Sequence, residues 1–253
     1  MTQNLIVKPT MAQQQLFSLN MPGVDELFPG FAPGDFAVLY GSPSIISLTS
    51  LLCIRAQLPT QLGGLRSNVV FVDGGNTFRL YKITRLAQLH DLNPRQVLGR
   101  IFISRAFTAY QLTSLILDKL EETIQKYNAK LVVISDIAGF FLGSDVPNEE
   151  AVRVYSQIIS YLSSFARKHH IIIIATYLPC SDNKRSNLFQ DITCSKANTV
   201  LALSKTAYTR EISLEKHPSF VLGTAELPSD NLTLTEFMGG ACATQTFVQK
   251  ALM

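Results

Sequence analysis

Apolar residues along this chain fall into short blocks of two kinds. Compact apolar runs stand at 35–40 (DFAVLY), 68–72, 101–104, 131–134 and 171–175, each with the length of a buried strand. The stretches between them have helical character. Residues 45–57 contain no Gly or Pro, 83–90 read as helical, and Pro94 opens a further short helix. The clearest amphipathic pattern spans 110–126, where Leu112, Leu115, Ile116, Leu120 and Ile124 share one face and Asp118, Glu121 and Glu122 lie off it. A second long helix is predicted over 148–168. Residues 177–193 read as a polar loop, 199–203 and 212–214 as late strands, and Phe220 onward as a strand-rich tail. Strands that alternate with helices predict an α/β fold, a mostly parallel sheet with helices on both faces. Residues 1–20 are polar and irregular and read as an N-terminal arm. Residues 21–253 read as one core domain, with no repeat, low-complexity segment or linker to divide it.

Composition narrows the picture. Hydrophobic residues make up 47% of the 253 and charged residues 16%. That supplies a sizeable core and leaves a lean charged surface, on which a partner can cover apolar area. A net charge of +3 permits nucleic-acid contact without demanding it. Cys53, Cys180, Cys194 and Cys242 show no metal-ligand spacing and read as free thiols of a reducing compartment. No signal peptide is recognisable, and the longest apolar runs are far short of the roughly 20 residues of a membrane span. A soluble, cytoplasmic protein is expected.

In a parallel sheet, ligands bind beyond the carboxyl ends of the strands. A strand, a Gly and then a helix is the setting of the phosphate-binding loop G-x-x-x-x-G-K-[ST]. There, backbone amides cradle phosphate, the Lys neutralises it and the hydroxyl holds magnesium. The corresponding stretch here is Gly41, Ser42, Pro43, Ser44, Ile45, Ile46, Ser47, Leu48, Thr49. Only the first Gly matches. Ile46 stands at the second Gly, Ser47 at the Lys and Leu48 at the hydroxyl. No lysine occurs between Lys8 and Lys82, so a shift of register does not repair the motif. Pro43 removes one further amide donor. After the strand 131–134, Ser135 stands where a metal-organising Asp belongs, and Asp136 follows one residue later.

These segments resemble the RecA/RadA recombinase superfamily, most closely its RadA-like and KaiC-like branch. The resemblance covers roughly residues 22–225. It rests on GVDELFPGFAPGDFAVLYG, VDGGNTFRLYKI, ISRAFTAYQLTSLI, LVVISDIAGFF and SLEKHPSFVLG, which stand in the family's order. It implies a RecA-like fold and an ancestral ATP site. By the same resemblance, the water-activating glutamate of active members falls at Gly75. The lysine, the metal hydroxyl, the metal-organising Asp and the glutamate are then all replaced, and loss of the base alone costs about 10²–10⁴-fold in rate. The expected protein is a pseudo-ATPase with no required cofactor, ATP and magnesium included. Neither a separate N-terminal DNA-binding domain nor a recognisable polymerisation motif is found, so a filament is not expected.

The candidate residues each have two readings. Gly41, Ser42, Ser44, Ser47, Thr49, Asp73 and Asp136 mark a vestigial nucleotide site, or a turn (Gly41) and a turn cap (Asp73). Lys184 and Arg185 either approach single-stranded DNA or form a solvated loop pair. Lys216 and His217 resemble the family's basic pair that reaches a neighbouring subunit's nucleotide, or are charges at a strand end. No metal site and no catalytic residue is assigned. The expected partners are further copies of the chain or a RecA-family ATPase, with single-stranded DNA as a further candidate. Three functions follow: a binding or assembly subunit in DNA repair or recombination, an ATPase that uses a lysine from elsewhere such as Lys216, or a structural ring subunit without DNA contact.

Overall fold

The computed structural model describes residues 16–180, 183–206 and 209–227. Eight strands form one sheet in the order β3-β2-β4-β5-β1-β6-β7-β8. They are β1 (Phe36–Gly41), β2 (Asn68–Asp73), β3 (Ile101–Arg105), β4 (Ala129–Ser135), β5 (Ile172–Tyr177), β6 (Thr199–Lys205), β7 (Arg210–Lys216) and β8 (Gly223–Glu226). The first six pair in parallel, and β7 and β8 add antiparallel. Both faces are covered. Ala37 and Leu39 of β1 join Val69, Phe71, Val133 and Ile174 on one face, beneath α2 (Ile45–Arg55), α3 (Leu80–Leu89) and α4 (Pro94–Leu98). Phe36 and Val38 join Val70, Val132 and Ile173 on the other. That face lies beneath α5 (Ala109–Leu117), α6 (Leu120–Tyr127), α7 (Asn148–His169) and α8 (Lys184–Lys196). Alternation along each strand gives every central strand two buried faces, hence the unbroken apolar runs. The fold is α/β with a mostly parallel sheet, as expected.

Three expectations need correction. Phe17 and Leu19, read as part of an arm, are buried in the core, and Phe17 bridges Phe31 through reciprocal N–H···O bonds of 2.8 and 2.9 Å. Residues 1–15 lie outside the described residues. The helix over 110–126 is two helices with a break at Asp118 and Lys119. Its buried positions Leu112, Ile116, Leu120 and Ile124 recur every fourth residue. In an unbroken helix each step would rotate by about 40° away from the sheet, and the break resets the face. The polar loop 177–193 contains most of α8. Asn183 caps that helix by accepting from the Arg185 amide, and its buried side chains are Ser186, Phe189 and Thr193. Two of those three are polar, so the pattern carried no helical signal. Their hydroxyls are satisfied inside: Tyr155 Oη lies 2.6 Å from Thr193 Oγ1, and Ser186 Oγ lies 3.1 Å from Tyr177 Oη.

Candidate functional site

The carboxyl ends of β1, β2, β4 and β5 gather Gly41, Asp73, Asp136 and the turn into α2. Gly41 has φ of +109°, and a Cβ there would collide with the Leu203 carbonyl of β6. Its glycine is required by the neighbouring strand, whatever the ligand. The loop that follows is wound tightly. Ile45, Ile46 and Ser47 donate their amides to the carbonyls of Ser42, Pro43 and Ser44, and Leu48 donates to Ser44. The Ser44 amide faces Ser42 Oγ at 3.4 Å. A phosphate cradle needs amides that point outward, and here they are engaged by the chain itself. Thr49 is buried and donates to the Ile46 carbonyl at 3.1 Å.

Lys82, in the first turn of α3, donates to Ser47 Oγ. An ammonium group therefore reaches the residue that stands at the motif's lysine position, from a different helix. Sequence reasoning overlooked it. The available signal was the place of Lys82, nine residues beyond the carboxyl end of β2, in a helix that starts at the same rim of the sheet as α2.

Asp73 ends β2 in register with Arg105 of β3 and Ser135 of β4. Registered residues on parallel strands share a face, so the three side chains meet. The fully buried Asp73 carboxylate accepts from Ser135 Oγ at 2.9 Å, from the Thr77 amide at 2.8 Å and from Arg105 Nε at 3.2 Å. Arg105 Nη2 completes the pair at 3.2 Å. Both carboxylate oxygens are occupied. Ser135, at the metal-organising position, here orders a strand end.

Asp136 leaves the strand through a left-handed backbone, with φ of +47°. Its amide donates to Thr176 Oγ1 at 2.8 Å, the Gly139 amide donates to its backbone carbonyl at 3.2 Å, and the amides of Gly139 and Leu178 favour the charged form of its carboxylate. Burial pushes its pKa up to about 6, against the opposing pull of those amides. Two glycines enclose it. A Cβ on Gly75 would lie 2.7 Å from Asp136 Cβ, and one on Gly139 would strike the carboxylate itself. The position where the resemblance puts a glutamate thus has no room for a side chain. Among the described residues, no three His, Cys, Asp or Glu side chains form a metal-binding group.

The remaining candidates lie elsewhere. Lys184 is exposed on the first turn of α8. Arg185 is turned inward, and its Nη1 donates to the carbonyls of Gly143 and Val146 at 3.0 Å each and of Phe141 at 3.3 Å. It ties α8 to the segment after β4. Lys216 pairs in register with Val200 at the amino end of β6, because β7 runs antiparallel. It therefore sits at the opposite rim from Gly41 and cannot stand in for that loop's missing lysine. Its ammonium donates to the Cys194 and Ser195 carbonyls at 3.0 and 2.8 Å, capping α8. His217 stacks on Phe220 with ring centroids 4.1 Å apart, and its Nδ1 accepts from the Ser219 and Phe220 amides. Burial lowers its pKa, which favours the neutral ring. Cys53 is buried, Cys180 exposed and Cys194 half-buried, all as free thiols, and Cys242 lies outside the described residues. No helix among the described residues is long and apolar enough to cross a membrane.

Comparison with known proteins fits this geometry. The chain is 31% identical over 90 residues to the DNA repair and recombination protein RadA of Cenarchaeum symbiosum, covering 36% of this chain and 22% of that one. It is 26% identical over 167 residues to the protein of the same name from Aeropyrum pernix, covering 66% of this chain and 49% of that one. These matches span half or less of the relatives' length. The Rad51 family model matches residues 29–216, which is most of the sheet and its helices. The chain therefore belongs to the Rad51 family of the RecA/RadA superfamily.

Proposed function

We propose that this protein works in DNA repair or recombination by binding and assembly, without hydrolysing ATP. Its partners are further copies of itself or an active RecA-family ATPase, together with single-stranded DNA. The names of its RadA relatives supply the process. The observation that carries the degenerate site is the loop after β1, whose amides from Ile45 to Leu48 are bonded to its own carbonyls. With Ile46, Ser47 and Leu48 at the working positions, a triphosphate gains neither amides nor a resident lysine there. The Asp73 and Ser135 side chains bond each other instead of organising a metal. Titration calorimetry of the full chain with magnesium-ATP tests this. No binding heat at 1 mM nucleotide is expected, and micromolar, magnesium-dependent binding overturns the reading.

One observation favours a second function, an ATPase with an atypical site: the ammonium of Lys82 at Ser47. On that reading, Lys82 supplies the charge in place of Lys216. ATP binding that is present in the wild-type chain and lost in Lys82→Met would establish it.

A further inference from the structure

Positive charge is concentrated in one segment. Residues 76–105 carry six cations (Arg79, Lys82, Arg85, Arg95, Arg100 and Arg105) and one carboxylate, Asp91. The other 223 residues carry 16 cations and 18 carboxylates, so the chain's whole net positive charge resides in these 30. They fold as α3, α4 and β3, an outer layer at one end of the sheet. Ile83 and Ala87 bury the inner side of α3, and Val97 does so for α4. Tyr81 and Arg85, one turn apart, share the outward side of α3. Arg85, Arg95 and Arg100 are exposed, and none has a carboxylate within 4.0 Å among the described residues. Tyr81 is 88% exposed, the most of the large hydrophobic side chains in the described residues. Arg105 is paired with Asp73, and Lys82 reaches Ser47.

We propose that the outer face of α3, α4 and β3 is a binding surface for single-stranded nucleic acid, separate from the loops after β4 and β5. The chain direction sets the cations out as a stripe. α3 runs from the carboxyl rim of the sheet to the amino rim, so Arg79 lies at one end, Arg85 midway, and Arg95 and Arg100 near the other. The ten residues of α3 span about 15 Å. That length suits a short tract of a few nucleotides, near the low end of about 4–16 for single-strand binding folds. Guanidinium groups pair with phosphate through two parallel N–H bonds, and unpaired ones give up no existing partner to do so. Tyr81, beside Arg85, offers a π-face for one base, the usual companion of a basic track. The same charges would also attract an acidic peptide. The exposed ring and the spaced arginine forks favour nucleic acid. This inference rests on the nucleic-acid part of the function proposed above and is independent of the state of the ATP loop.

Fluorescence anisotropy of the full chain with a labelled 12-nucleotide oligo-dT, over a range of salt concentrations, tests it. With three to four phosphates neutralised, log K should fall with log [salt] at a slope of about −2 to −3. The triple variant Arg85→Gln/Arg95→Gln/Arg100→Gln should lower affinity at least tenfold at low salt and flatten the slope by about 2. Tyr81→Ala should weaken binding about fivefold or more at every salt concentration, and Tyr81→Phe should restore it. All these side chains point outward, so melting temperatures should match the wild type. Binding that persists with unchanged slope in the triple variant, and is lost in Lys184→Gln, overturns the surface and leaves the nucleic-acid function standing. No oligo-dT binding by the wild type overturns both. Equal affinity for polyglutamate of the same charge overturns the nucleic-acid assignment.

Discussion

Asp136 offers a quantitative test of the carboxyl rim. Its backbone is left-handed, a conformation that Asn adopts as readily as Asp, and an amide oxygen can face the Gly139 and Leu178 amides as the carboxylate does. Asp136→Asn therefore removes an ionisation and little else. Burial holds the folded pKa near 6, against 3.8 for the free side chain. For a carboxyl raised in this way, the unfolded chain ionises first as pH rises. Below about pH 4 neither state is charged and the site costs nothing. Between about 4 and 6 stability falls, and above 6 the loss levels off at about 3 kcal/mol, from 1.36 kcal/mol per pKa unit. The variant escapes that loss. It should be more stable than the wild type by about 3 kcal/mol at pH 8 and by about half as much at pH 5. For a domain of this size the gain at pH 8 is about 6–12 °C in melting temperature. Urea unfolding at the two pH values measures it. A gain independent of pH, or a loss at pH 8, would refute the idea that Asp136 is a buried acid held against its preference.

Three further outcomes follow from the geometry. Gly41→Ala should cost more than about 2 kcal/mol by thermal or urea unfolding, because the new Cβ meets the Leu203 carbonyl at a φ that disfavours a side chain. Asp73→Ala should cost about 3–5 kcal/mol, since it strands Arg105, Ser135 and the Thr77 amide, and unchanged stability would deny the rim its hub. Lys216→Met should cost about 0.5–1 kcal/mol in urea unfolding by uncapping α8, with no change in any partner's ATPase rate. A large fall in that rate would show that Lys216 acts across an interface.

Much of the fold was legible because the central strands are buried on both faces and carry continuous apolar runs. Strand and helix alternation then dictated a parallel sheet. The elements that escaped were those whose packing contradicts their local pattern. In α8, Ser186 and Thr193 are buried through bonds to Tyr177 and Tyr155, a partnership across more than one element that no periodicity reveals. In the 110–126 stretch, a spacing of four residues looks helical whether or not the helix is continuous. At the site, the missing lysine and hydroxyl were plain, since they are identities at fixed positions. Roles were not. That Arg185 and Lys216 cap backbone carbonyls, and that Lys82 bridges from α3, depends on where side chains land after folding.

The tightly wound turn into α2 has a consequence for any attempt to build a phosphate site into this loop. Placing glycine and lysine at 46 and 47 would supply the letters of the motif without opening the turn. The exchanged chain would lose Ile46 to a residue that disfavours helix, and would lose the Ser47 contact with Lys82, before any phosphate compensated. Likewise, a carboxylate placed at Ser135 would face the Asp73 carboxylate in a dry setting, where like charges repel. Each single exchange is uphill, so the rim as it stands is a local optimum: a phosphate-binding loop and a metal carboxylate are separated from it by changes that must be made together.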